Sequence, residues 1–257
     1  MKLEGLLVPV AALTRSQRHA MFDLMDRHYE NVNAATFAAD LEEKQWVILL
    51  LDPRSRELCG FSTQLLMEAL VAGRPVKALF SGDTIVARER WGDQALAHVW
   101  GRLALSLMDQ HGATELYWFL ISKGYKTYRF LPLFFHEFYP RHDQFTPDWV
   151  RDVIDALAGS RYPQAYDPCA GIVRAGTHKD RLRAGVADIT PERRRDAHVR
   201  FFLERNPGHG QGDELCCLAP LRRANFTPAA YRVIGPAPVL AEVGECRWQH
   251  GSTQPGC

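Results

Sequence analysis

The chain has no paired C-x-x-C spacing, and its six cysteines (Cys59, Cys169, Cys216, Cys217, Cys246 and Cys257) are too sparse in 257 residues for a disulfide scaffold. No metal is expected, and a reducing cytoplasm fits this usage. The adjacent pair Cys216-Cys217 lies in an apolar stretch and reads as small buried side chains. No apolar run approaches the roughly 20 residues that cross a bilayer. The apolar start, Leu6 to Leu13, is interrupted by Pro9 and preceded by Glu4, with no small-residue cleavage pattern after it, so no signal peptide is expected. An excess of one charge sign is also missing, because 31 basic residues face 30 acidic ones. Neither a nucleic-acid backbone nor an anionic membrane is therefore an expected partner. The densest basic run, Arg193-Arg194-Arg195, is followed at once by Asp196 and reads as a solvated helix face. Gly-x-Ser-x-Gly and Gly-x-x-x-x-Gly-Lys are absent too, which weakens hydrolase and phosphate-loop readings.

What is present is the balance of an ordinary folded protein, 46% hydrophobic and 24% charged. Leu3 to Leu13 reads as a strand, followed by a helix capped at Ser16 with Met21, Leu24, Met25 and His28 at spacings of three and four. A short helix from Ala34 to Lys44 precedes Trp46 to Leu51, a continuous apolar run typical of a strand covered on both faces. Turn residues at 52–55 and 73–75 separate two further strands, Leu58 to Leu70 and Val76 to Val86, giving an antiparallel meander. Leu96, Val99, Trp100, Leu103 and Leu107 then form one helical stripe. Leu116 to Ile121 reads as a buried strand, and Tyr125 to Tyr139 as an aromatic helix bent near Pro132. Thr146-Pro147, Thr190-Pro191 and Thr227-Pro228 each suit a helix start. Between them, Gly171 to Arg174 and Glu214 to Leu221 are candidate strands, and the aperiodic tail after Gly235 is expected to be partly disordered.

The order strand, helix, helix, three antiparallel strands, helix, strand, helix over about residues 3 to 140 resembles the core of the GNAT superfamily of acyl-CoA-dependent N-acyltransferases. The implied fold class is α/β (α+β), a GNAT-like mixed, largely antiparallel central sheet flanked by helices, with a C-terminal extension. Residues 1–140 would form the acyltransferase core. Residues 141–235 would complete the sheet or cover the substrate, and 236–257 would be the tail.

The resemblance also implies a donor site where a strand runs into a helix N-terminus, whose amides and dipole favour a pyrophosphate. The corresponding residues are Ile85, Val86, Arg88, Arg90, Trp91, Gly92, Asp93, Gln94 and Ala95, with Ser122 across the splay. Trp91, Gln94 and Leu96 stand where the family tends to have Arg, Gly and Gly, and Asp93 would oppose a pyrophosphate unless it acts as a cap. An ordinary strand-to-helix turn is the plain alternative.

By the same resemblance, Asp83 would orient the acceptor amine or take its proton, and Tyr128, ahead of Tyr125, would protonate the leaving thiolate. The alternatives are a bulge at Ser81-Gly82-Asp83 and a buried tyrosine with a satisfied hydroxyl. Phe130, Leu131, Leu133, Phe134, Phe135 and Phe138 read mainly as core, with a remainder available for an acyl pocket, and Lys126 and Arg129 would stand near its mouth. The glycine-dense loop from Asn206 to Leu215 offers His209, Asp213 and Glu214 as contact candidates.

The implied activity is acyl transfer from coenzyme A, as acyl-CoA, to a small-molecule amine. The alternatives are an enzyme resembling N-acyl amino acid synthases that takes its acyl group from acyl carrier protein, and a non-catalytic GNAT-like binding module.

Overall fold

The computed structural model describes residues 2–112, 114–176, 180–183, 185 and 189–235. Expectations for the tail after Gly235 lie outside the described residues. The chain opens with strand β1 (Glu4–Pro9) and helix α1 (Arg15–His28). The cap of α1 is Thr14 rather than Ser16: its hydroxyl accepts from the Gln17 amide while the Gln17 side chain returns to the Thr14 amide. Strand β2 (Tyr29–Glu30), helix α2 (Ala34–Glu42) and strands β3 (Trp46–Leu51), β4 (Leu58–Val71) and β5 (Arg74–Val86) follow. Helix α3 (Ala95–Gln110) then leads to β6 (Glu115–Ser122). The expected aromatic helix is two short pieces, α4 (Tyr125–Tyr128) and α5 (Phe130–Phe134). Beyond them the chain extends, so that Phe135 bridges Phe226 and Tyr139 bridges Leu218.

The rest comprises α6 (Asp148–Arg161), β7 (Tyr166–Asp167), β8 (Ile172–Val173), β9 (Arg181–Leu182), α7 (Ala197–Arg205), β10 (Glu214–Pro220) and α8 (Pro228–Ile234). Of the three Thr-Pro starts, Thr227 caps its helix by accepting from Ala230. Pro147 stands immediately before α6, whereas Thr190-Pro191 leads only to a single tight turn and α7 is capped by Asp196.

Eight strands form one sheet in the order β1-β3-β4-β5-β6-β10-β8-β7, and β2 pairs separately with β9. Among the described strands only β5 and β6 pair in parallel. The α3 crossover between them is what a parallel pair requires. The fold is thus mixed α/β, a largely antiparallel sheet flanked by helices, and residues beyond 140 contribute β10, β8 and β7 to the same sheet.

Strand alternation places the core. From β6, Leu116, Trp118 and Leu120 join α3, α4, α5, α7 and α8 on one face, while Tyr117 and Phe119 join α6 on the other. Val47 and Leu49 of β3 meet α1 and α2. Both faces are covered, which is why β3, β6 and β10 read as unbroken apolar runs.

Candidate functional site

β5 and β6 pair from Val76↔Glu115 to Ser81↔Leu120 and then part, although β5 continues to Val86 and β6 to Ser122. The parting coincides with a bulge. The β4 partners step from Ser62↔Thr84 to Gln64↔Ser81, so Gly82 and Asp83 oppose Thr63 alone. Glycine is required there because a Cβ at position 82 would sit 2.6 Å from Thr63 Oγ1 and 3.1 Å from Lys44 Cε. Beneath the bulge runs a buried polar chain. Gln64 Nε2 donates to Ser62 Oγ (2.7 Å), Ser81 Oγ donates to Gln64 Oε1 (2.8 Å), and the indoles of Trp100 and Trp118 both donate to Ser81 Oγ (3.2 and 3.0 Å). A satisfied network of this kind fixes the bulge in one geometry.

The splay opens into a cavity of about 580 Å³. Its inner end is charged. Asp83 lines the wall beside Asp40, Lys44, Lys123, Asp180 and Glu214. Lys44 Nζ is paired with Asp40, and Lys123 Nζ is paired with Asp180 and lies 3.8 Å from Glu214. Burial, reinforced by Asp40 and Asp180 and opposed by Lys123 and Lys44, pushes the Asp83 carboxyl up to about 6. Burial alone would lower Lys123, but Glu214, the Tyr29 oxygen, Asp180 and Asp83 raise it above the ordinary lysine value. Burial also raises the Tyr29 hydroxyl. Asp83 is therefore a carboxylate poised to exchange a proton near neutral pH.

The outer end is formed by the β5 terminus and the loop into α3. Ala87 N donates to Cys59 O, so strand alternation turns the N–H and C=O of Val86 away from β4 and into the splay. That carbonyl accepts from Trp91 Nε1 at 2.9 Å. The exposed Trp91 ring carries Lys126 Nζ 3.2 Å from its centroid and the Arg88 guanidinium at 5.7 Å. Gly92 takes a positive φ of 95°, and Asp93 behaves as a cap: Oδ1 accepts from Ala95 N (2.8 Å) and Oδ2 from Leu3 N (2.9 Å). Arg90 is held by Asp52 at 2.6 Å.

Of the residues singled out in the sequence, Asp83, Ile85, Val86, Arg90, Trp91, Gly92 and Asp93 line this one cavity, as do Lys126, Phe130 and Glu214. Arg88, Gln94, Ala95 and Ser122 do not line it: Arg88 and Gln94 are exposed, and Ser122 is buried with its hydroxyl donating to Gly124 O at 2.8 Å. Tyr128 requires correction. It is fully buried among Phe138, Phe201 and Phe202, and its hydroxyl donates to Pro140 O at 2.9 Å, away from the cavity. Tyr125 is likewise core. Tyr128→Phe is expected to leave any activity of the cavity within about twofold of wild type while costing about 1 kcal/mol of stability. Steady-state rates and urea melts of the two proteins check this.

Arg129 lies 3.6 Å from Asp196. In the 206–215 loop, Asp213 accepts from Arg174 (2.9 Å) and the Ala175 amide (2.8 Å), and the His209 ring packs 5.7 Å from Phe202. Sequence reasoning missed Lys44, Lys123, Asp40, Asp180 and Tyr29. The usable signal was a lysine within two residues of each of two buried strands, Lys44 before β3 and Lys123 after β6.

No protein-family model matches the chain, and no curated protein matches it. Among solved structures, the chain is similar to a GCN5-related N-acetyltransferase from Kribbella flavida, with 14% identity over 53% of this chain and 34% of that one and a TM-score of 0.39. It is also similar to a conserved Enterococcus faecalis V583 protein described as a probable N-acyltransferase, with 12% identity, 84% and 65% coverage and a TM-score of 0.41. A third is a GNAT family N-acetyltransferase from Escherichia coli in complex with CoA, with 14% identity, 51% and 69% coverage and a TM-score of 0.36. The chain thus spans 34% of the length of the first of these and 65% of the second.

Proposed function

We propose that the chain is an acyltransferase that moves an acyl group from a thioester donor, acyl-CoA, to an amine. The observation that carries this reading is the bulged strand end, which sets a carboxylate with a raised pKa in a cleft whose opposite end offers the outward Val86 backbone. The acceptor amine enters beside Asp83, which takes its proton as the nitrogen attacks the thioester carbonyl. The Val86 amide steadies the developing oxyanion. Ile85, Leu96 and Phe130 give the cavity wall an apolar stretch suited to an acyl chain longer than acetyl. Incubating the purified protein with acetyl-, octanoyl- or palmitoyl-CoA and a panel of amines tests the reading; N-acyl product by mass spectrometry supports it, and its absence throughout refutes it.

A donor bound to acyl carrier protein is the second reading, favoured by Asp93, which occupies the first amide of α3 where a pyrophosphate would bind. Asp93→Ala is expected to lose about 1 kcal/mol with its cap yet bind CoA several-fold more tightly. Urea melts check the first effect and calorimetric titration with CoA the second, and unchanged CoA affinity would remove the argument from Asp93.

A further inference from the structure

The inner half of the cleft carries a surplus of negative charge, and its cations are already engaged. Four carboxylates (Asp40, Asp83, Asp180 and Glu214) line it with two ammonium groups, those of Lys44 and Lys123. Lys44 is held by Asp40, and Lys123 by Asp180 with Glu214 close by. Arg161 behind the wall pairs with Asp40 and Glu43, adding one cation and one further carboxylate. Among these described residues, with Asp83 ionised, the wall keeps a surplus of two negative charges. His28 also lines the cavity, its Nδ1 2.8 Å from Leu24 O. Independently of these charges, Thr63 Oγ1 is buried without a hydrogen-bond partner among the described residues, and it abuts Gly82 on the cavity wall.

An α-amino acid is a poor match for this surface. In the inner half its carboxylate would draw Lys44 or Lys123 away from an existing partner and add to the negative surplus, the other lining cations, Arg90 beside Asp52 and Lys126 over Trp91, standing at the outer end. An amine with a second, permanently protonated nitrogen offsets the surplus instead.

Resting on the acyl-transfer reading, we propose that the acceptor is a diamine or polyamine. One nitrogen reacts: its lone pair forms the C–N bond, the C–S bond breaks with its electrons leaving on the thiolate, and the amine proton passes to Asp83. The second nitrogen stays protonated among Asp40, Asp180 and Glu214 and fixes the orientation of the acceptor.

The test is calorimetric titration of the full chain, at low ionic strength, with 1,4-diaminobutane, spermidine, n-butylamine and glycine, followed by transfer assays with the same amines. The diamine is expected to bind about tenfold more tightly than n-butylamine, equivalent to about 1.4 kcal/mol, and to weaken with added salt. Glu214→Gln should reduce that advantage, and Asp180→Asn serves as the second variant should the first fold poorly by circular dichroism. Glycine or n-butylamine binding as tightly as the diamine, or no binding by the diamine, overturns the proposal. Tight diamine binding without any transfer keeps the charge assignment and refutes the acyl-transfer reading, so the two fail separately.

Discussion

Replacing Asp83 by Asn is expected, on the proposed acyl-transfer reading, to lower the rate by about two to three orders of magnitude, the range of a lost general base, while the fold persists. Wild-type kcat/KM should rise with pH through about 6, as the Asp83 carboxyl ionises, and the variant should lose that limb. The same substitution has an opposite effect on stability. The carboxyl is raised in the fold above its usual 3.8, so the ionised form is penalised there and the unfolded chain releases its proton first. Stability associated with this group is present below about pH 4 and is lost as pH rises through about 6. Asp83→Asn avoids that loss and should melt a few degrees higher than wild type at pH 7, with the difference vanishing near pH 4. Melting curves at the two pH values, beside a pH–rate profile, check both halves. An inactive variant with no neutral-pH stabilisation would mean that the ionised carboxylate is not strained by its surroundings.

The second large effect concerns what closes the sheet below the cleft. Phe119 on β6 faces Phe80 on β5 across the parallel ladder, with ring centroids 5.7 Å apart and both side chains fully buried, one step before the strands part. Phe119→Ala removes this pair and leaves a cavity next to α6, a change that costs about 3–5 kcal/mol. Denaturant melts should show that loss. Because the ring pair stands immediately before the parting, the surviving folded molecules should also bind donor less tightly, whereas a comparable cut far from the splay, such as Leu107→Ala near the C-terminal end of α3, should leave donor affinity intact.

The architecture was legible because its strands are apolar on both faces or punctuated by turns, and the 3.6-residue stripe of α3 is unambiguous. The 130s were misread for a physical reason: their apolar residues surround the chain on all sides, which fits either a buried helix or an extended segment between two layers, and tertiary bridges from Phe135 and Tyr139 select the latter after α5. At the site, Asp83 was singled out by the resemblance, and the bulge at Ser81-Gly82-Asp83, given as its plain alternative, is present in the strand. Tyr128 could not be judged, since the direction of a side chain on a one-turn helix depends on which neighbour accepts its hydroxyl, and that neighbour, Pro140, is set by the fold. The ion pairs of Lys123 with Asp180 and Glu214 join distant parts of the chain and have no local pattern, whereas Lys44 pairs with Asp40 only four residues before it.

One contact near the cleft mouth makes the molecule its own optical gauge. The indole of Trp91 is tied to the Val86 carbonyl and faced by the Lys126 ammonium, and both are groups that a thioester arm lying along β5 would need to displace. Donor entry should therefore move an exposed fluorophore away from a quenching cation and a polar tether, changing emission on the timescale of binding rather than of turnover. Stopped-flow traces with acyl-CoA, minus those of Trp91→Phe, would yield the association rate directly, before any acceptor is known.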